Sequence, residues 1–381
     1  MISTPITEDL IRGIAELEAT ERGARPHRLP EWVRRQFPDG QLLAMESQPS
    51  GVRLAFQTTA TSVDLVIHPA RVAYRGADRP RGRVDVLVDG ALHSRDVLDG
   101  GDVIEVDLQA GGTTTFRHGS SHTTEIHGLS SLEKLVEIWL PHNESLELVA
   151  LHSDAPLYAD AEQAPVWVHH GSSISHGSNA ASPTEIWPVV AARTAGVELR
   201  NLGLGGSALV DPFLARVIRD SPADMISVKL GINVVNLDAM RLRAFTPAVH
   251  GFLDTIRDGH PDTPLLLISP IYSSIHEQTP GPGAIHPASL GTDQVRFIAT
   301  GDPADVQNGR LTLEVIRREL RAIVAQRAED QNLHFLDGTT LYGEADAEGL
   351  PLPDALHPDT ATHELIGRRF AERAFTSAIF A

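Results

Sequence analysis

The chain opens with apolar residues at helical spacing, turns to short alternating runs, and ends in apolar strands separated by amphipathic stretches. Over residues 7–35, Leu10, Ile11, Ile14 and Leu17 recur at intervals that predict a helical lead-in, assigned to residues 1–37. Between Gln41 and Leu157 the period changes to two. Runs at 52–56, 63–67, 84–88, 103–108, 135–140 and 146–151 are rich in Val, Ile and Leu, with turn residues such as Asp89-Gly90 and Asp99-Gly100-Gly101 between them. This pattern predicts an antiparallel, jelly-roll-like β-sandwich over residues 38–160. After Pro165, apolar strands at 166–170, 198–202, 225–230, 265–271 and 333–336 alternate with helical stretches, notably 311–329 and 360–375. Such alternation predicts an α/β domain over residues 161–381, with five parallel strands covered by helices on both faces. Residues 272–303 form one long irregular stretch, a length that in compact domains usually serves a function.

Composition narrows the chemistry. A chain of 381 residues exceeds the size at which one core keeps growing, so two domains are expected. Thirty-two Lys and Arg against fifty Asp and Glu leave a net charge of −18, which repels phosphate backbones and anionic lipid surfaces. No nucleic-acid or membrane partner is expected, and neutral substrates are favoured. The absence of cysteine removes disulfides, thiolate metal sites and cysteine nucleophiles. The first ten residues lack the basic start and apolar middle of a secretory signal, so a cytoplasmic location is expected. Homo-oligomerisation stays open.

In open α/β sheets, ligands bind beyond the carboxyl ends of the strands. The residues at those ends form a coherent set: Gly171-Ser172-Ser173 after the first predicted strand, Gly203-Leu204-Gly205-Gly206 after the second, Gly231-Ile232-Asn233 after the third, and Asp354-Ala355-Leu356-His357 after the last. These residues resemble the SGNH hydrolases, the GDSL-type lipase and acylhydrolase superfamily. The resemblance covers roughly residues 165–376, and its first motif matches Gly171 to Gly177 except that Ser172 stands where the family has Asp. Each motif alone is weak; four in the right chain order are strong.

The resemblance implies a flavodoxin-like three-layer α/β/α domain with a Ser-His-Asp triad. Ser173 would be the nucleophile, His357 the base that takes and returns its proton, and Asp354, one helical turn before it, the carboxylate that orients the imidazole. The oxyanion hole would comprise the backbone N–H groups of Ser173 and Gly206 with the side-chain amide of Asn233. Ser172, His176 and Glu277 are expected to contact substrate. No cofactor is expected. His169, His170, His176, His276 and His286 are numerous but irregularly spaced, without a His-Glu-x-x-His pair, so no metal is expected either. A second string, His118-Gly119-Ser120-Ser121-His122, lies in the β-rich region without comparable partners and reads as a loop.

A β-sandwich followed by such a domain is similar in layout to carbohydrate esterase family two and related deacetylases. That implies a serine esterase removing short acyl groups, chiefly acetyl, from a small-molecule or saccharide ester. The alternatives are an acyltransferase with the same triad, a broad-specificity short-chain esterase or lipase, and a non-catalytic sugar-binding protein.

Overall fold

A computed structural model describes residues 1–75, 80–107, 113–161, 163–289, 292, 295–376 and 379–380. The chain divides into two compact units, one of residues 1–163 with 181–184 and one of residues 164–180 with 185–381.

The first unit is a two-sheet β-sandwich. One sheet runs in the order Thr113–Arg117, Asp102–Asp107, Ser62–Tyr74, Ser145–Ser153, Ala24–His27, Glu16–Ala19. The other runs Leu157–Ala159, Arg53–Thr58, Lys134–Trp139, Arg83–Val88, Ala91–Val97. Alternate residues of both sheets, including Leu54, Phe56, Val63, Leu65, Val84, Val86, Val136, Ile138 and Leu148, meet in one buried cluster. The runs expected at 52–56, 63–67, 84–88, 135–140 and 146–151 each fall within a strand or overlap one by all but a terminal residue. The run at 103–108 falls in Asp102–Asp107, apart from Leu108, which lies outside the described residues.

The helical lead-in is corrected. Residues 1–37 hold the strands Ile2–Thr4, Ile11–Arg12, Glu16–Ala19 and Ala24–His27, and an α-helix only at Glu31–Gln36. The reason is tertiary. Leu10 and Ile11 are buried in the sandwich core, Ile11 pairs with Leu54, and Gly13 adopts a φ of 87° that interrupts any helix. Burial in the sandwich core and pairing with a neighbouring strand outweigh a local spacing that suits a helix.

The second unit is built on five parallel strands: β1 (Val166–Gly171), β2 (Glu198–Gly203), β3 (Met225–Lys229), β4 (Leu265–Ile268) and β5 (Leu333–Leu336). Their order is β2-β1-β3-β4-β5, all parallel, so the winding direction reverses between β1 and β3. Around them lie α1 (Ser173–His176), α2 (Trp187–Ala195), α3 (Pro212–Arg219), α4 (Ile232–Asn236), α5 (Leu242–Gly259), α6 (Leu313–Gln326) and α7 (Thr360–Phe370). Trp167 of β1 stacks on Phe370 of α7 at 5.0 Å and meets Trp187 of α2, whereas His170, on the opposite face, stacks on Phe252 of α5. The alternating side chains of one strand thus anchor helices on both faces. In a sheet wound this way the crevice at the reversal point is where ligands bind. β1 and β3, the strands flanking it, lead into Ser173 and Asn233. Among the described residues no helix is long and apolar enough to cross a membrane.

Candidate active site

Ser173 begins the single helical turn that succeeds β1. Ser172 caps this turn by accepting a hydrogen bond from the Ile174 N–H at 3.4 Å, and Gly177 closes it at a φ of 109°. The chain thereby reverses sharply and leaves Ser173 partly exposed between buried neighbours. His357 reaches it from the last loop, with Nε2 2.9 Å from Ser173 Oγ. On its other side, His357 Nδ1 lies 2.7 Å from Asp354 Oδ2. An ionised carboxylate can only accept, so Nδ1 carries the hydrogen and Nε2 is left to accept from the serine hydroxyl.

Asp354 and His357 do not lie on a helix as their spacing suggests. Ala355 takes a φ of 69°, and the Asp354 carboxylate folds the loop onto itself by accepting the N–H groups of Leu356 and His357 at 2.9 and 2.6 Å. Asn179 donates a further bond to Oδ2 at 3.2 Å. Burial alone would raise the Asp354 carboxyl, but the hydrogen bond and charge of His357 and the two backbone N–H groups outweigh it and hold the group below the usual carboxylate value. Phe297 packs edge-on against the His357 ring at 5.6 Å and donates its N–H to the Asp354 carbonyl at 2.8 Å. Ser273 bonds the Ala355 carbonyl at 3.1 Å. Ser273 and Phe297 therefore brace the loop that carries the Asp354 carboxylate and the His357 imidazole. Asn179, Ser273 and Phe297 had no signal in the sequence, because their roles arise only from contacts between distant segments.

The three expected oxyanion donors stand at the same end of the sheet. Gly206 occupies a turn with a φ of 71°, a left-handed conformation that favours glycine. Asn233 Oδ1 accepts the Ala208 N–H at 3.1 Å, which ties the Asn233 side chain to the turn that holds Gly206 and turns its NH₂ the other way. Among the described residues, the N–H groups of Ser173 and Gly206 and the Asn233 NH₂ have no hydrogen-bond partner.

The residues expected to contact substrate fare differently. Ser172 is 1% exposed and is engaged as the helix cap. His176 is 3% exposed, with Nδ1 3.1 Å from the Gly203 carbonyl. Burial withdraws both from an incoming ester, and both instead shape the loop. Glu277 accepts the Ser273 N–H at 3.1 Å and pairs with Arg317. It lines a cavity of about 570 Å³ with Tyr272, Gln278, Glu314, Arg317 and Glu344. Trp187 is fully buried in the aromatic cluster beneath the sheet.

The second His-Gly-Ser-Ser string makes an instructive contrast. Ser121 Oγ lies 3.3 Å from His68 Nδ1, and His68 Nε2 lies 3.2 Å from Asp102. The Gly101 N–H is engaged with the Ser120 carbonyl and the Gly119 N–H with Asp102. His122 is held between Asp96 and Asp99. These bonds tie a surface loop together and occupy both glycine N–H groups, whereas the donors near Ser173 are free to receive an oxyanion.

Residues 170–365 match the family described as GDSL-like lipase/acylhydrolase, and residues 10–149 match the N-terminal domain of SsfX3. No curated protein matches the sequence. Among solved structures, the salicylyl-acyltransferase SsfX3 from a tetracycline biosynthetic pathway is similar at 27% identity and a TM-score of 0.77, over 97% of this chain and 95% of that one. A family two carbohydrate esterase from Clostridium thermocellum in complex with cellohexaose is similar at 13% identity and a TM-score of 0.56, over 87% and 93% of the two chains. An acetyl xylan esterase, Est2A, from the rumen bacterium Butyrivibrio proteoclasticus is similar at 11% identity and a TM-score of 0.54, over 99% and 98%. At such identities the two esterases speak to the fold alone.

Proposed function

The chain belongs to the GDSL-like lipase/acylhydrolase family, and on that premise we propose that it is a serine acyl-transfer enzyme that hydrolyses short acyl esters, chiefly acetyl, of a saccharide or glycoside. The observation that carries this reading is the continuous chain of hydrogen bonds from Ser173 Oγ through His357 to Asp354. In the first step His357 Nε2 takes the hydroxyl proton as Ser173 Oγ attacks the ester carbonyl. The carbonyl electrons move onto oxygen, and the Ser173 and Gly206 N–H groups and the Asn233 amide are the donors available to receive them. Collapse of this intermediate expels the alcohol, which recovers the proton from His357 and leaves an acyl-Ser173. Water activated by the same imidazole then releases the acid. Asp354, ionised and anchored by four donors, keeps His357 in the required tautomer throughout.

A second reading is favoured by the similarity to a salicylyl-acyltransferase over nearly the whole of both chains. In that reading the acyl-Ser173 passes its acyl group to an alcohol instead of water. Short-chain nitrophenyl esters with fluorophosphonate labelling test the shared chemistry. Hydrolysis and labelling are expected in the wild type and absent in Ser173→Ala; hydrolysis that persisted in the variant would overturn the assignment. Product analysis with and without a competing sugar acceptor separates hydrolysis from transfer. Glycan affinity without labelling would instead identify a non-catalytic sugar-binding protein.

A further inference from the structure

We propose that His169 is a positioning residue for Ser173, holding the one-turn helix that carries the nucleophile through a hydrogen bond to Ser175; this rests on the acyl-transfer reading above. α1 has four residues, too few to be stable alone, since nucleating a helical turn is unfavourable and needs tertiary contacts to offset it. The position of Ser173 therefore depends on the elements that grip α1 from outside. Besides the His176 contact with the Gly203 carbonyl, two grips on Ser175 are visible. From β2, Asn201 Nδ2 donates to the Ser175 carbonyl at 3.0 Å, while Asn201 Oδ1 accepts the Gly203 N–H at 2.9 Å. From β1, His169 Nε2 lies 2.8 Å from Ser175 Oγ.

His169 has no exposed surface and both ring nitrogens are engaged, Nδ1 lying 2.7 Å from Ser227 Oγ on β3. The Trp167 indole, a donor only, bonds the same Ser227 oxygen at 2.8 Å. The arrangement that leaves no Ser227 hydrogen unpaired sends it to His169 Nδ1. His169 then donates through Nε2 to Ser175. A row of polar groups thus crosses from β3 through β1 into the nucleophile helix. The fit is close: a Cβ on Gly171 would sit 2.3 Å from Ser175 Oγ and 3.3 Å from His169 Nε2, so Ser175 presses directly on the backbone of β1. Burial, and after it the neighbouring His170 and Lys229, hold the His169 imidazole well below its ordinary value, so it serves as a neutral, fixed strut. An apolar ring of the same size would leave the Ser227 hydrogen and the Ser175 oxygen without their His169 partner in a dry interior, and α1 would be the movable partner.

The test combines three substitutions at His169 with one at Ser175. Gln places an amide where Nε2 stands, Asn where Nδ1 stands, and Phe replaces neither. Nitrophenyl acetate turnover is expected to fall about ten- to a hundredfold in kcat for His169→Phe and His169→Asn, at unchanged KM, because small misplacements of a reacting group carry penalties of that order. His169→Gln is expected to recover most of the rate. Ser175→Ala, which removes the same bond with little change in volume, is expected to lower kcat comparably, and combining it with His169→Phe should add no further loss. Losses that simply added, or a wild-type kcat in Ser175→Ala, would overturn the proposal even if His169→Phe failed to fold. Fluorophosphonate labelling at Ser173 separates the two levels of inference. A wild-type protein that neither turns over nor labels overturns the acyl-transfer reading itself. A wild type that labels, with Ser175→Ala and His169→Phe labelling as fast, overturns only the role of His169.

Discussion

Asn233 has one side of its amide bonded to Ala208 and the other free, which aims a donor without requiring it to be released from another partner during reaction. Losing one such preorganised donor typically lowers kcat about 10²- to 10³-fold. Asn233→Ala is expected to show a loss of this size in ester turnover with KM nearly unchanged; a loss confined to KM would remove Asn233 from the oxyanion hole. Asp354→Asn tests the tautomer. An asparagine oxygen can still accept from Leu356 and His357 N–H groups, so the loop should stand, but a misoriented amide NH₂ would favour the wrong imidazole tautomer. The expectation is a fall in kcat of several orders of magnitude with unchanged thermal stability. A large drop in melting temperature would assign Asp354 mainly to loop architecture.

At the scale of elements, the packing of α1 onto β1 and β2 leaves no room for side chains on the glycines beneath it. A Cβ on Gly203 would lie 2.5 Å from both the His176 nitrogen and the Ser175 carbonyl carbon, backbone atoms that cannot move aside without displacing the helix. Gly203→Ala is expected to cost about 1–3 kcal/mol in chemical denaturation, the usual range for overpacking, and to slow labelling of Ser173 in step. Unchanged stability and labelling would contradict this close approach. The elements that escaped the sequence are explained by the same physics in reverse. Ala91–Val97 and Thr113–Arg117 are exposed along most of their length, and His122–His127 buries one face with the polar His122 and Thr124 beside Ile126, so their hydrophobic alternation is faint. The strands that bury mainly apolar residues, such as Arg83–Val88 and β1, were visible in the sequence.

For the molecule as a whole, a pH dependence of stability is expected from Lys229. This residue of β3 is 3% exposed, and burial pushes its ammonium down to about 8. Between pH 8 and the ordinary lysine value the unfolded chain binds a proton that the folded protein does not, so stability rises with pH across that window. Below pH 8 the folded state must bury the charge, at a cost of roughly 3 kcal/mol if the full shift is realised. Lys229→Met is accordingly expected to be more stable than the wild type at pH 7, with the difference vanishing near pH 10 in chemical denaturation. A difference independent of pH would refute the assignment.

Periodicity and a family resemblance were enough to mark much of this molecule in the sequence alone. Alternation at period two marked the sandwich strands, alternation of strands with helices marked the parallel sheet, and the resemblance of four short motifs, three after strands and one in the last loop, to the SGNH hydrolases marked Ser173, Gly206, Asn233 and His357 together. Tertiary structure decided the rest, because it depends on which segments become neighbours. It drew Leu10 and Ile11 into the sandwich core and so made strands of a stretch with helical spacing. It folded Asp354 and His357 into a loop braced by Phe297 and Ser273 instead of a helix. It buried Ser172 and His176 beside Ser173, and it placed His169, one histidine among eighteen, directly beneath the helix that carries Ser173. A side chain's type is written in the sequence, but the direction it faces and the partner it meets depend on how distant strands pack.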